Sequence, residues 1–558
     1  MTGKIETLTI GSYLIQRLKE LGVTHVFGVP GDFSLRFCKL LEDDDNITFV
    51  GTTREDTAGF AADGYARRHE GLGVVLVTHG VGALSIVNPI AGANAESSPF
   101  LVISGAPGVA ERAENPLIHH SFGSPEAQMK IFENFTCSAI ALNDLSQAPR
   151  QIDQVIESVW RNKKPGYIEI PRDMVDKEIH IEPSNESFCQ FESSEEATLD
   201  EALSETASLL NQAKSPVILA GVEVHRHGIQ NELVQLLEVS QLPIAATIMG
   251  KSVVNEHHPL YLGVYQGQVG SEEAREIVEA SDLVITLGVM FTDVNLGMYT
   301  ARLDPNQMVR ANQGTVRIKH HEFPKIILKD FILGLTKRLK SREPVSRTKP
   351  RPIHQPSVPE KNSLQKDGDL TMTGIIEILN QQITPEMAIV VDTGDCLFAA
   401  AELRVPDRTS FFASAFYTTM GFAVPAAVGV NCASPGTRPL ILVGDGAFQM
   451  TGTELSTCKK LNLTPIVVVI NNMGYETERV ILDGKFNDIE NWDYGAICKL
   501  INYGKEFRVE TAGEFQTVME NAIRDKNNMV VINAIVKESS RGMRLLASEI
   551  SRRLQSKT

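Results

Sequence analysis

The sequence predicts an α/β protein made of three doubly wound parallel-sheet domains, and three observations lead there. The chain has 558 residues, too many for one ordinary core and suited to three units of about 150–200 residues. Short apolar runs alternate with stretches of helical spacing, the pattern of parallel strands joined by crossover helices. Two of those runs, Leu440-Ile441-Leu442-Val443 and Ile466-Val467-Val468-Val469-Ile470, end in the polar clusters Gly444-Asp445-Gly446 and Asn471-Asn472. Open α/β sheets bind ligands at such strand ends.

Leu14, Ile15, Leu18 and Leu21 have helix spacing, and Val26–Val29 is a short strand that leaves Asp32 in the loop beyond it. Further strands are expected at 47–51, 74–78 and 100–104, completing a first domain over 1–181. The polar stretch at 182–197 reads as a linker. A middle unit, 198–340, has strands at 217–220 and 283–287; its charged helices hold no dense polar constellation, so a scaffold or regulatory role is expected. Five prolines between 341 and 368 (Pro344, Pro350, Pro352, Pro356, Pro359) mark a long surface crossover. A third unit, 370–558, carries the polar clusters, and its last eight residues read as a frayed helix end.

Composition narrows the function classes. The chain is 42% apolar and 22% charged, as in a soluble globular protein. A net charge of −16 argues against nucleic acid or an anionic membrane as a partner. No apolar run approaches the roughly 18 residues that span a bilayer, and the amino terminus lacks a signal-peptide pattern. Cysteines at 38, 137, 189, 396, 432, 458 and 498 are odd in number and dispersed, which reads as reduced thiols in a cytoplasmic enzyme.

Asp445 offers a carboxylate, Asn472 an amide oxygen and Gly474 an unobstructed carbonyl, hard oxygen ligands that suit Mg²⁺ beside a diphosphate. Gly444 and Gly446 allow a tight turn and close approach to phosphates. Glu55 opens a small-residue helix. Taken alone it is equally an acid that favours a helix N-terminus. His119-His120 reads by residue type as a surface or packed pair. Metal binding there is disfavoured, because adjacent histidines point apart and no cysteine or acid lies close by. Glu476 and Glu478 stand two positions apart and face different ways on a helix, so one can be catalytic while the other is solvated.

The separation of Gly-Asp-Gly from Asn-Asn by residues 447–470 resembles the signature of thiamine diphosphate enzymes. With Val26-Phe27-Gly28-Val29-Pro30-Gly31-Asp32, the Glu55 helix, Gly80-Val81-Gly82-Ala83-Leu84-Ser85, the His pair and Gly263-Val264-Tyr265, the whole chain resembles the thiamine diphosphate-dependent 2-oxo acid decarboxylases. It resembles especially the pyruvate, indolepyruvate and phenylpyruvate decarboxylase group. The resemblance implies an aminopyrimidine-binding first domain and a third domain that binds diphosphate and Mg²⁺. It makes Glu55 the cofactor-activating glutamate, buried against the coenzyme and kept protonated. It makes Asp32, His119, His120 and Glu478 the acid–base set, and Asp445, Asn472 and the Gly474 carbonyl the metal ligands. Cofactor contacts are implied at Thr78, Asp395, Met420, Gly444, Asp445, Gly446, Ala447, Asn472 and Tyr475. Met420, core filler by residue type, falls where the family places an apolar wedge beneath the coenzyme.

There are departures. Asp395-Cys396 stands where relatives usually carry Thr-Ser, and Thr477 where pyruvate-specific relatives carry a branched apolar residue. Leu397, Phe398, Thr477 and Ile481 are the expected pocket walls. The implied reaction is non-oxidative decarboxylation of a 2-oxo acid to an aldehyde and CO₂, with aromatic, branched or longer-chain acids preferred over pyruvate. The implied assembly is a homodimer or homotetramer with sites at subunit interfaces. Alternatives are a pyruvate decarboxylase, an acetohydroxyacid synthase-like carboligase, against which the His pair argues, and a non-catalytic cofactor-binding paralogue, against which the presence of both Glu55 and Asp445 argues.

Overall fold

The computed structural model describes residues 6–113, 117–181, 193–340 and 367–555. Most of the expected linker at 182–197 and crossover at 341–368 therefore lies outside the described residues. Of the linker, 193–195 are irregular, and Glu196 already opens the helix Glu196–Gln212. The expected frayed end is helical through Gln555, within Arg541–Gln555.

Three large sheets form, as the sequence predicts. The amino-terminal sheet is all parallel, in the order Thr48–Gly51, His25–Gly28, Gly73–Val77, Phe100–Ala106, Gly166–Pro171, Ser138–Ala141. The carboxy-terminal sheet is also parallel, running Phe411–Ala413, Met387–Val391, Arg438–Gly444, Ile466–Asn471, Val530–Ile535, Lys505–Val509. The central strands are buried along their length, which is why they read as unbroken apolar runs rather than alternating ones.

The middle sheet departs from the all-parallel expectation at one edge. Its strands from Tyr261–Val264 to Met308–Asn312 are parallel, but Gly314–Ile318 and His321–Ile326 extend it antiparallel. The turns joining these strands are too short for a crossover helix, so only antiparallel pairing is open to them. A further small antiparallel pair joins Glu6–Thr9 to Glu178–Ile181.

The chain folds as two compact units. One comprises Met1–Phe191, Phe422–Thr437 and Thr451–Leu463; the other comprises Glu192–Gly421, Arg438–Met450 and Thr464–Thr558. In the first, the helix Glu55–His69 packs against Ala423–Ala433 at close range. A Cβ on Gly429 would meet the Ala61 carbonyl oxygen at 1.8 Å, and one on Gly64 the Ala426 carbonyl oxygen at 2.2 Å. Small residues on both helices permit that approach. In the second unit, Val222, Ile248 and Val264 of the middle sheet's elements share a core with Ile375, Ile389 and Leu442 of the carboxy-terminal ones. The six described cysteines are all free, and Cys189 lies outside the described residues. Among the described residues no helix is long and apolar enough to cross a membrane.

Candidate active site

Each doubly wound sheet has one place where successive crossovers leave in opposite directions, opening a crevice beyond the strand ends. In the amino-terminal sheet it lies between His25–Gly28 and Gly73–Val77. The loops there carry Asp32 and Thr78, and a Cβ on Gly31 would stand 2.4 Å from Thr78 Cβ. Glu55 and Thr78 flank Gly82, whose Cβ would lie 3.4 Å from Glu55 Oε1 and 3.1 Å from Thr78 Cγ2. Gly80, at φ +62°, leaves room for the His120 carbonyl oxygen, 2.1 Å from where a Cβ would be. His120 is itself left-handed, at φ +68°, an uncommon conformation for a side chain of this size.

These loops bring Asp32, Glu55, Thr78, His119 and His120 to one crevice. His119 Nε2 lies 2.8 Å from Asp32 Oδ2, and the two imidazoles meet edge to face with centroids 4.8 Å apart. Phe33 stacks on His119 at 5.1 Å. Burial pushes the Asp32 carboxyl up, but the His119 hydrogen bond and the charges of His119 and His120 outweigh it and hold Asp32 below its ordinary range. The expectation that the histidines point apart with no acid nearby is thereby corrected. Ligand-capable atoms of Asp32, His119 and His120 all fall within 4.8 Å. The left-handed turn at His120 folds its ring back, and the acid arrives from a different strand.

In the second unit the corresponding crevice lies between Met387–Val391 and Arg438–Gly444. Asp445 opens the helix Asp445–Thr451 and is 1% exposed. Its Oδ1 accepts from the Gly446 N–H at 2.8 Å and its Oδ2 from the Gly474 N–H at 3.3 Å. Burial raises this carboxyl despite those backbone donors. Asn472 Oδ1 is buried with no hydrogen-bond partner. A Cβ on Gly444 would meet nothing within 4 Å, whereas one on Gly446 would strike the Tyr475 ring at 2.5 Å. An unsatisfied amide oxygen, a buried carboxylate and open space at Gly444 suit a hard cation and a diphosphate. Ala447 is buried in the helix behind them.

Met420 is 37% exposed, and the N–H of the next residue, Gly421, donates to Asp392 Oδ1 at 3.0 Å, tying it to the end of strand Met387–Val391. The helix Glu476–Ile481 carries Thr477, Glu478 and Ile481. Its two acids do differ. Glu476 Oε1 accepts from the Ser539 hydroxyl at 2.7 Å, while Glu478 is exposed.

Other expectations need correction. Asp395 is 7% exposed and turned toward Ser540, whose N–H donates to both carboxylate oxygens at 3.1 Å and whose hydroxyl also donates to it. Burial holds its pKa up against those bonds. A carboxylate reaches donors in the Ser539-Ser540 segment, so Asp395 ties down the following helix instead of facing the crevice. Leu397, 1% exposed, belongs to the core shared by the two sheets, and Phe398 packs with Met543 and Leu546. Neither presents a pocket wall, because the short helix Asp395–Ala400 is buried on all sides. Thr477 and the 40%-exposed Ile481 remain as candidates.

Two buried polar residues escape sequence reasoning. His79 is 7% exposed with Nδ1 unpartnered, and burial, then Arg112 and His120, lowers its pKa to about 4. Glu454 is 0% exposed and accepts hydrogen bonds from threonines at 53, 57 and 457. No local pattern marks either one, since what buries them, and the Thr53 and Thr57 donors to Glu454, come from distant positions.

Comparison with known proteins matches residues 8–131 to the family described as thiamine pyrophosphate enzyme, N-terminal TPP binding domain. Residues 203–329 match the central domain of such enzymes and 392–534 the C-terminal TPP binding domain. Fold and crevices thus define a three-domain thiamine diphosphate enzyme. An indole-3-pyruvate decarboxylase of Azospirillum brasilense is 33% identical over 534 residues, 95% of each chain. A Schizosaccharomyces pombe protein named "Probable pyruvate decarboxylase" is 32% identical, covering 95% of this chain and 94% of its own. An alpha-keto-acid decarboxylase of Mycolicibacterium paratuberculosis is 31% identical, at 95% and 94%. The chain belongs to the thiamine diphosphate-dependent 2-oxo acid decarboxylases. It is a carboxy-lyase that uses that coenzyme.

Proposed function

We propose that this enzyme converts bulky 2-oxo acids, aromatic, branched or longer-chain, into aldehydes and CO₂ in preference to pyruvate. The observation that carries the catalytic assignment is the gathering of Glu55, Asp32, His119 and His120 at one crevice. Glu55 is the carboxyl for the aminopyrimidine ring of thiamine diphosphate, and Asp32 with His120 relays the proton that ends up on the aldehyde carbon. Glu478 stands beside the departing carboxylate. Asp445, Asn472 and the Gly474 carbonyl would hold Mg²⁺, which would supply positive charge beside the diphosphate. The bound coenzyme supplies the electron sink; the chain orients, protonates and excludes water.

The substrate preference is supported by Thr477, whose Oγ1 lies 3.5 Å from where a Cβ on Gly394 would be, and by the apolar Ile481 one helical turn on. A threonine at 477 fills less space than a larger branched apolar residue would. The name of the Azospirillum relative points the same way. A methylene in an apolar pocket changes discrimination by only about 1–3 kcal/mol, so the preference is one of degree.

Because Glu55 and Asp445 belong to different units, we assign the working enzyme as a dimer or tetramer in which one copy's amino-terminal crevice is completed by another's metal loop. Exposed apolar side chains around that loop, Met473 at 55%, Leu482 at 67% and Phe486 at 68%, are the kind that a partner covers. Initial rates on a panel of 2-oxo acids with thiamine diphosphate and Mg²⁺ test the reading. Phenylpyruvate, indolepyruvate or a branched acid should exceed pyruvate in kcat/KM, and chelation should abolish turnover until Mg²⁺ is restored. Pyruvate leading the panel would refute the preference, and full activity of a dilute monomer would refute the shared site.

A further inference from the structure

We infer that Glu454 is a positioning residue for Glu55. The helix Glu55–His69 begins without a side-chain cap: Arg54 occupies the N-cap position in extended conformation and makes no capping hydrogen bond. A carboxyl at the first position of an uncapped helix sits on its most easily frayed turn. Asp56 Oδ1 takes the Thr57 N–H at 2.9 Å, and the turn is held further from outside, by a carboxylate remote in sequence. Glu454 Oε2 accepts from the Thr53 N–H at 3.1 Å, from the Thr53 hydroxyl at 2.5 Å and from the Thr57 hydroxyl at 2.6 Å. The Thr57 hydroxyl lies also 2.8 Å from the Arg54 carbonyl oxygen. Its other oxygen, Oε1, accepts from Thr457 at 2.5 Å. Glu454 and Thr57 are both fully buried. Thr53 and Thr57 stand on either side of Glu55, so one oxygen pins both flanks of the residue.

The clamp needs an acceptor but not a formal charge. In a Glu454→Gln variant the amide oxygen can take the place of Oε2, and the amide N–H can donate to Thr457, whose hydroxyl turns to accept. Glu454→Ala, by contrast, takes the acceptor from four donors, of which only the Thr57 hydroxyl keeps another, the Arg54 carbonyl. Positioning therefore predicts that Gln rescues what Ala loses, whereas a purely electrostatic role predicts that both fail.

The inference rests on Glu55 being the activating carboxyl, and the experiment separates the two. Hydrogen exchange of the coenzyme-free protein, followed by mass spectrometry, reads the turn itself. Peptides spanning 52–60 should exchange at least about tenfold faster in Glu454→Ala and near the wild-type rate in Glu454→Gln, with sheet peptides unchanged. In the loaded enzyme, exchange of the thiamine C2 proton should fall by about tenfold or more in Glu454→Ala and by less than about threefold in Glu454→Gln. Should Glu454→Ala prove poorly folded, Thr57→Val, which keeps shape and removes one donor, should show the same losses in smaller measure. Unchanged exchange at 52–60 in both Glu454→Ala and Thr57→Val overturns the clamp, as does equal loss of C2 exchange in Gln and Ala. If instead Glu55→Gln retains C2 exchange, it is the assignment of Glu55 that fails, whatever Glu454 does.

Discussion

At the scale of single residues, environment separates side chains of the same type. Glu476 is committed to Ser539, while Glu478, two positions on, is exposed. Against burial, the His119 hydrogen bond, 2.8 Å long, and the charges of both histidines hold the Asp32 carboxyl below its ordinary range. A Glu478→Gln enzyme should turn over about 10²–10⁴ times more slowly, the usual scale of a lost acid–base group, while still retaining thiamine diphosphate through gel filtration. Near wild-type turnover would remove Glu478 from the chemistry. Roles of this kind were only half legible in the sequence. The spacing of Gly-Asp-Gly and Asn-Asn pointed to Asp445 and Asn472, because strand-end position follows from local apolar runs. Asp395 was misjudged because its partner, Ser540, is far along the chain.

At the scale of elements, the second unit contains a buried ion pair that joins segments far apart in sequence. Lys251 Nζ lies 2.6 Å from Glu256 Oε2 and also donates to the Leu403 carbonyl oxygen at 2.6 Å. Glu256 further accepts from the Ser252 and Val405 N–H groups and from the Tyr261 hydroxyl. Both side chains are at most 1% exposed. Removing one partner strands the other charge. Lys251→Met should therefore lower stability by about 3–5 kcal/mol, read from the denaturant midpoint of the coenzyme-free protein. A loss below 1 kcal/mol would show that Glu256 finds its compensation in the neutral donors alone. The prolines and apolar runs announce the strands on either side, but nothing local announces that this loop and the one at 403–405 meet.

For the whole molecule, the response to acid follows from imidazoles held neutral. His225 is buried, its Nε2 2.9 Å from the Lys251 carbonyl oxygen and its Nδ1 3.3 Å from Gln230 Nε2, an arrangement that suits the neutral ring with Nε2 protonated. Burial depresses its pKa to about 4, and that of His79 likewise. Between pH 6.5 and about 4 the unfolded chain binds these protons and the folded one does not. Stability therefore rises with pH across that window and is lost as pH falls through it, levelling below about 4. For His225 the loss is about 3 kcal/mol at most. Unfolding free energies measured from pH 7 to 4 should show this slope, and His225→Gln should reduce it by about 1.4 kcal/mol per pH unit. An unaltered slope would mean that the ring titrates normally.

By itself the sequence determined the fold class, the place of the two polar clusters at strand ends and membership of the enzyme family. Each of these is written in local periodicity or in residues close together along the chain. Tertiary structure alone decided which acid is exposed, where Asp395 points, that Leu397 and Phe398 fill core, and that Glu454 grips the turn carrying Glu55. A side chain's partners are set by which distant segments the sheet topology brings beside it, and no spacing along the chain encodes that.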